Sequence, residues 1–272
     1  MSIFKKISQA VRRYGELSRM PLRLEFVVTD WCNLNCRGCG HYSPLARKEF
    51  APIDELRKTM AALGRACGGD IESAYLIGGE TLLYPDLNEA MEALRSAFPT
   101  AKLYIFTNGL LLPRMDDDFW ASARKYDFVM ALTRYPIRFD YDAAEALCAA
   151  KGVRCEVFAD RNLEGSFFKF PLDPAKKQNG RMAHFRCYNR GCISVLGDKV
   201  YPCSISGCVG HLNKALGTNF RHEEGDYIAV GDVRSARDIK RLRDRVVPFC
   251  SYCKHHEVRP YAPSRRELSE WL

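Results

Sequence analysis

The sequence predicts an α/β fold: a parallel sheet of βα units followed by a small C-terminal domain of β-hairpin and helix, rich in cysteine. Three observations predict it. Short strand-like runs alternate with helix-like ones from Leu22 to about residue 158, the pattern of βα units on a parallel sheet. Those runs ("SAYLI", "KLYIF", "DFVMALT", "VRCEVF") are apolar almost throughout, as in strands covered on both faces. After residue 160 the rhythm breaks into turn formers and charge, and cysteines gather around a Gly197-Asp198 turn.

Taken in order, residues 3 to 17 place Ile3, Ile7, Val11, Tyr14 and Leu17 at helical intervals between basic residues. They read as an amphipathic helix over residues 1–21, suited to packing on the domain or to an anionic membrane surface. Strands are then expected at 22–29, 73–77, 102–107, 127–133 and 153–158, and helices at about 53–66, 87–98, 116–125 and 142–151. Pro52 at the start of the first of these helices, and "MDDD" at the start of the third, are the residues that helix N-termini favour. "SFFKF" is read as a sixth strand. In "CISVLGDKVYPC" two apolar arms flank a two-residue turn, with Gly197 supplying the positive φ of a hairpin. A helix at about 234–245 precedes Cys250 and Cys253. The expected organisation is a helix at 1–21, a βα body at 22–165, and a linker with a cysteine-rich domain at 166–272.

The chain has 272 residues, 47% hydrophobic and 27% charged, which excludes disordered and fibrous classes. No apolar stretch approaches the roughly 18–20 residues that span a bilayer, so stable membrane insertion is not expected. The N-terminus lacks the apolar core of a secretory signal, and a cytoplasmic location is expected. In a reducing compartment twelve cysteines point to metal or chemistry before disulfides. The net charge of +8 is spread along the chain. It suits an anionic substrate, and without a recognisable RNA-binding appendage nucleic acid is not an expected partner.

"TDWCNLNCRGCGHYSP" packs Cys32, Cys36 and Cys39 into eight residues directly after the first strand. A structural zinc site wants four ligands, and the nearest further donor is His41. Three thiolates at this spacing also suit one face of a cubane iron–sulfur cluster, leaving one iron open to a small ligand. Plain reduced thiols are the third reading. Loops at the carboxyl ends of parallel strands are where such folds hold their sites. The second strand ends in "IGGET", in which Gly78 and Gly79 permit close approach of a ligand to the backbone and Glu80 supplies a carboxylate. The third ends in "FTNG", with Thr107 and Asn108 as hydrogen-bonding groups.

These motifs together resemble the radical S-adenosylmethionine (SAM) superfamily, with its CxxxCxxC loop after the first strand of a partial (β/α)6 barrel and "GGE" after the second. The resemblance covers about residues 22 to 160. It implies a [4Fe-4S] cluster on Cys32, Cys36 and Cys39 whose open iron chelates SAM. It places Gly78, Gly79 and Glu80 at the methionine amine, and Thr107 and Asn108 near the ribose and methionine. The implied activity is reductive cleavage of SAM to a 5′-deoxyadenosyl radical that takes a hydrogen atom from substrate, with electrons from a donor such as flavodoxin or ferredoxin. The sequence departs from the family at Gly38, where an aromatic residue is common, and Tyr42 is the alternative adenine contact.

The C-terminal plan, a cysteine before a hairpin, a cysteine ending it, a helix and CxxC, resembles the twitch form of the SPASM extension, which binds one auxiliary [4Fe-4S] cluster. The implied ligands are Cys187, Cys203, Cys250 and Cys253, with Cys192 the alternative to Cys187. The same thiolates also suit zinc. Cys67, Cys148 and Cys155 read as small buried hydrophobes. Cys208 reads as a loop cysteine, or as a hydrogen donor to a carbon radical as in radical SAM epimerases. Arg134, Arg161, Arg181, Arg186 and Arg190 flank the expected barrel mouth, and Asp160 and Glu164 are candidate proton acceptors. Peptide-modifying relatives commonly carry a recognition domain before the barrel, and only about twenty residues precede the first strand here. The expectation is therefore an oxidoreductase or epimerase acting on a small polar substrate, carbohydrate-like or aminocyclitol. A peptide maturase and a non-catalytic Fe–S or zinc protein are the alternatives.

Overall fold

The computed structural model describes residues 20–157 and 166–272. The expected N-terminal helix and the residues Asp160, Arg161 and Glu164 lie outside these ranges. β1 (Leu22–Thr29), β2 (Ile71–Gly78), β3 (Lys102–Thr107), β4 (Phe128–Leu132) and β5 (Arg154–Val157) alternate with α1 (Ile53–Cys67), α2 (Leu87–Ala97), α3 (Asp117–Lys125) and α4 (Tyr141–Ala150). All five strands pair in parallel in chain order.

Each helix forms for a local reason. In α1 the buried Leu56, Met60, Leu63 and Cys67 recur at three- and four-residue intervals, giving one apolar stripe. Asp116 caps α3 by accepting from the Phe119 amide at 2.8 Å, and Asp140 caps α4 through the Ala143 amide at 2.9 Å. Such caps contribute about 1 kcal/mol each.

The sheet has two unlike faces. Register aligns Phe26, Leu76, Ile105, Met130 and Cys155 across β1–β5, and this row joins the core that α1–α4 cover. The opposite face aligns Glu25, Tyr75, Tyr104 and Val129. Tyr75 stacks on Tyr104 at 5.0 Å, the Ser73 hydroxyl donates to Tyr75 Oη, and Tyr104 Oη donates to Glu156. Both faces are buried, as the sequence reading expects: the helix side is apolar, and the other is a polar-aromatic cluster of Tyr75 and Tyr104 with Val129 and Ala131.

The sixth strand differs from expectation. "SFFK" forms β6 (Ser166–Lys169), but it pairs antiparallel with β10 (Glu257–Pro260) in a separate two-stranded sheet. The place beside β1 is taken by β7 (Ile193–Leu196), parallel to it with Phe26 opposite Val195. β7 turns through Gly197, at φ +55°, into antiparallel β8 (Lys199–Tyr201), and β9 (Ile228–Ala229) completes the order β5-β4-β3-β2-β1-β7-β8-β9. The expected hairpin is present, hydrogen-bonded into the same sheet as the βα body. α5 (Gly180–Arg186) precedes it; α6 (Ser204–Gly207), α7 (Val209–Leu216) and α8 (Ala236–Asp244) follow. Among the described residues no helix is long and apolar enough to cross a membrane.

Candidate active site

The Cys32–Cys39 loop leaves β1 and is held from two sides. On one side it lies on the end of β2: the Gly79 amide donates to Thr29 O at 2.7 Å and the Glu80 amide to Trp31 O at 3.0 Å. A Cβ on Gly78 would fall 1.9 Å from Thr29 O, and one on Gly79 would fall 2.4 Å from both Asp30 O and Trp31 O. The close approach that these glycines permit is therefore to the protein's own backbone. On the other side the loop meets the C-terminal segment. Arg37 N donates to Ala262 O and Ser264 N to Asn35 O, and Trp271 Nε1 donates to Cys39 O at 3.0 Å. Gly38 sits at φ +72° with Glu270 O 3.2 Å from its Cβ position. That backbone disfavours an aromatic side chain there.

Glu80, Thr107 and Asn108 come together as one buried group. Glu80 is 1% exposed. Its carboxylate accepts from the Thr107 hydroxyl at 2.7 Å and from the Asn108 and Leu82 amides at 2.8 and 3.0 Å. Burial raises its pKa, and those hydrogen bonds partly offset the rise. Asn108 Nδ2 donates to Asn33 Oδ1 at 2.7 Å and lies 3.9 Å from Cys32 Sγ, so the group touches the thiol loop.

Within the loop, the Leu34 amide donates to Cys32 Sγ at 3.3 Å, and Tyr261 Oη and Ser43 Oγ lie 3.8 and 3.7 Å from Cys36 and Cys39. Burial pushes the Cys36 thiol up to about 12, with Cys39 adding to the shift, and raises Cys32 further still. Removal from water thus disfavours bare thiolates here, and a cationic partner would reverse the sign. His41 turns away from the three thiols, its Nδ1 facing Asp30 and Cys208. It does not complete the zinc set considered from sequence.

Tyr42 requires correction. It is 1% exposed, at φ +54°, with its hydroxyl donating to Ile205 O and its ring 6.2 Å from that of Trp271. Packed into the core, it offers no face to an adenine.

A second set of thiols converges from three separate stretches. Cys187 caps the end of α5, Cys203 ends the hairpin at the start of α6, and Cys250 and Cys253 lie in and after a 3-10 turn. Burial first, then the mutual charge of Cys187, Cys203 and Cys250, holds the Cys253 thiol far up, and Cys203 is raised by burial, Cys187 and Cys250. Cys192 faces Glu25, which dominates its shift after burial. None of the twelve cysteines is disulfide-bonded. Asp226, fully buried, fixes this region by accepting from the Phe249 and Glu223 amides at 2.7 Å each.

Cys67 and Cys148 are buried, as expected, while Cys155 is only half-buried. Arg134 pairs with Asp142 and Glu145 on the surface; Arg190 is buried near Asp244 at 3.7 Å; Arg181 and Arg186 are exposed. Sequence reasoning missed Asp30, His211, Tyr261 and Trp271. Only Asp30, directly after the first strand, stood at a position that could have signalled a role.

Residues 26–137, spanning the thiol loop, Glu80, Thr107 and Asn108, match a family model. That model is described as the radical SAM superfamily. The chain also aligns with curated proteins. A GTP 3′,8-cyclase 1 of Mycobacterium tuberculosis is 32% identical over 139 residues, 48% of this chain and 38% of that protein. A GTP 3′,8-cyclase of Acidothermus cellulolyticus is 35% identical over 102 residues, 35% of this chain and 27% of that protein. The chain therefore spans well under half the length of these relatives. Among solved structures, BtrN in complex with AdoMet and 2-DOIA gives a TM-score of 0.49 at 16% identity, covering 87% of this chain and 94% of that one. The anSMEcpe structure with bound AdoMet gives 0.42 at 19% identity, covering 51% and 43%.

Proposed function

We propose that this protein is a radical SAM enzyme that oxidises a small hydroxylated substrate, carbohydrate-like or aminocyclitol, using two [4Fe-4S] clusters. The observation that carries the reading is the convergence of two separate thiol sets, one of three and one of four. The first is tied through Asn108 to the buried Glu80 carboxylate. The family match over 26–137 supports the same assignment.

The donor chemistry fits the clusters. Cys32 already accepts an amide hydrogen bond at 3.3 Å, the kind of contact that tunes cluster sulfurs. Buried thiols raised by burial and by one another gain most from a shared cation. Cys32, Cys36 and Cys39 would hold the SAM cluster, and Cys187, Cys203, Cys250 and Cys253 the auxiliary one. When bound, these groups supply one-electron cleavage of SAM, the 5′-deoxyadenosyl radical that takes a hydrogen atom, and an acceptor for the second electron.

The chain's own residues do the rest. Glu80, oriented by the Thr107 hydroxyl and two amides, would receive the methionine ammonium, a partner that offsets its burial. Gly78 and Gly79 set the loop on β2. The polar-aromatic sheet face, with Tyr75, Tyr104 and Ser194, suits hydroxyl groups. Glu25 on that face, raised by burial, is suited to take the proton as a carbinol becomes a ketone. Electrons would come from a carrier such as flavodoxin or ferredoxin.

The test is anaerobic reconstitution of wild type and of a Cys32/Cys36/Cys39→Ala variant, with iron, sulfide and 5′-deoxyadenosine measured after addition of SAM and dithionite. About eight irons per chain, falling to about four with loss of 5′-deoxyadenosine, is expected for two cubane clusters. Zinc in place of iron and no cleavage of SAM would overturn the proposal.

A further inference from the structure

Asp30 follows β1 directly, and its carboxylate faces side chains that belong to neither thiol set. Asp30 Oδ1 lies 3.5 Å from His41 Nδ1 and 3.5 Å from Cys208 Sγ, and Cys208 Sγ lies 3.8 Å from His41 Nδ1. The other carboxylate oxygen, Oδ2, is 2.7 Å from His211 Nε2.

The two kinds of distance have different meanings. An N–H to carboxylate hydrogen bond closes to about 2.7–3.2 Å, as His211 and Asp30 do. At 3.5 Å the His41–Asp30 contact is too wide to be a good one. Around a tetrahedral zinc, with metal–oxygen and metal–nitrogen bonds of about 2.0–2.2 Å and metal–sulfur bonds of about 2.3 Å, adjacent ligand atoms stand roughly 3.3–3.7 Å apart. The triangle of 3.5, 3.5 and 3.8 Å matches that spacing to within a few tenths of an ångström.

The surroundings agree. Cys208 is 2% exposed at the head of α7, and His211 stands one turn further along that helix. His211 on the outer oxygen is the partner that metal-binding carboxylates typically have. The side chains of Asp30 and His41 remain 15% and 14% exposed, which leaves one side of the triangle open. Three protein ligands with an open position is the arrangement of a catalytic rather than a structural zinc site.

We infer that Asp30, His41 and Cys208 form a third metal site, which binds one divalent ion of the zinc class and leaves a position for an oxygen donor such as water or a substrate hydroxyl. His211 is its positioning residue. Cys208 is then a metal ligand and not the hydrogen donor considered from sequence. The inference does not depend on the proposed SAM chemistry, because its readout is zinc and not turnover.

The experiment uses full-length protein with iron loaded, dialysed against zinc and then against a weak chelator. Zinc is counted by mass spectrometry, and its ligand shell is read by X-ray absorption at the zinc edge. One zinc per chain with one sulfur and otherwise nitrogen and oxygen neighbours is expected. Cys208→Ser should remove the sulfur neighbour or the zinc at unchanged iron content, and His211→Ala should weaken zinc binding about 10- to 100-fold. The edge spectrum of the wild type keeps the test decisive even if a variant fails to fold. No retained zinc, a shell of four sulfurs, or wild-type affinity in both Cys208→Ser and His41→Ala would each overturn it.

Discussion

Replacing Gly79 with alanine should unseat the thiol loop while leaving the C-terminal thiols in place. The new methyl would lie 2.4 Å from Asp30 O and Trp31 O and 2.5 Å from Trp31 C, where ordinary contact begins near 3.4 Å. The backbone must therefore retreat by roughly 1 Å, because the obstructing atoms are main chain and cannot swing aside. That movement breaks Gly79 N to Thr29 O and Glu80 N to Trp31 O, at about 0.5–1.5 kcal/mol each. Overpacking adds about 1–3 kcal/mol, for about 2–6 kcal/mol in all. Urea unfolding and iron content of the reconstituted protein report the effect together: the midpoint should fall, and under the proposed two-cluster reading about four of eight irons should be lost. Gly210→Ala is the control. Nothing lies within 4 Å of its Cβ position on α7, so alanine there should stabilise by about 0.5–1 kcal/mol. A Gly79→Ala protein within about 0.5 kcal/mol of wild type, with full iron, would refute the view that these glycines serve the loop.

Three further outcomes follow from the same contacts. Trp271→Ala removes a buried indole and its hydrogen bond to Cys39 O, so a loss of about 3–5 kcal/mol in urea unfolding should accompany faster iron release from the first set. Asp226→Ala orphans the Phe249 and Glu223 amides at about 1–3 kcal/mol each, and if the second set holds the proposed auxiliary cluster, iron counting of reconstituted protein should show loss confined to that set. His184 is held below the ordinary imidazole value by burial, although its Nε2 hydrogen bond to Arg243 O acts the other way. As pH falls below about 6.5 the unfolded chain binds a proton that the folded chain resists. Stability should thus decline from pH 7.5 to 5.5, and His184→Gln should flatten that slope in denaturation titrations.

The βα body was legible because each of its elements carries a local signal. Period-four apolar residues mark α1, acids mark the start of α3, and β1 and β3 begin and end at the expected residues. The β7–β8 hairpin was legible from Gly197. Pairing between distant segments was not. That β7 would lie beside β1, and "SFFK" against residues 257–260, depends on contacts across more than 80 residues, and apolar alternation does not name a partner. Tyr42 misled for a related reason: its place beside the cysteines fits a ligand contact, but a positive φ turns the ring inward against Trp271. Asp30 and His211 were hidden because the carboxylate and the imidazole stand 181 positions apart.

Tyr42 also ties the cysteine loop to the C-terminal segment. Its hydroxyl is raised first by burial and then by Cys253, Cys208, Cys203 and Cys39, thiols drawn from both sets and from the Asp30 triangle. One of its neighbours is Ile205, on the helix that begins after Cys203; the other is Trp271, which holds Cys39. A rigid aromatic group fixed at both ends sets the distance between the sets by packing, because side chains in a filled core have few alternative positions. The β1–β7 pairing fixes the same distance from the backbone. Binding energy gained at either set then stabilises the other through the shared core, by mass action on the folded state. Loading one set should accordingly protect both from unfolding, as a single sheet carrying both would require.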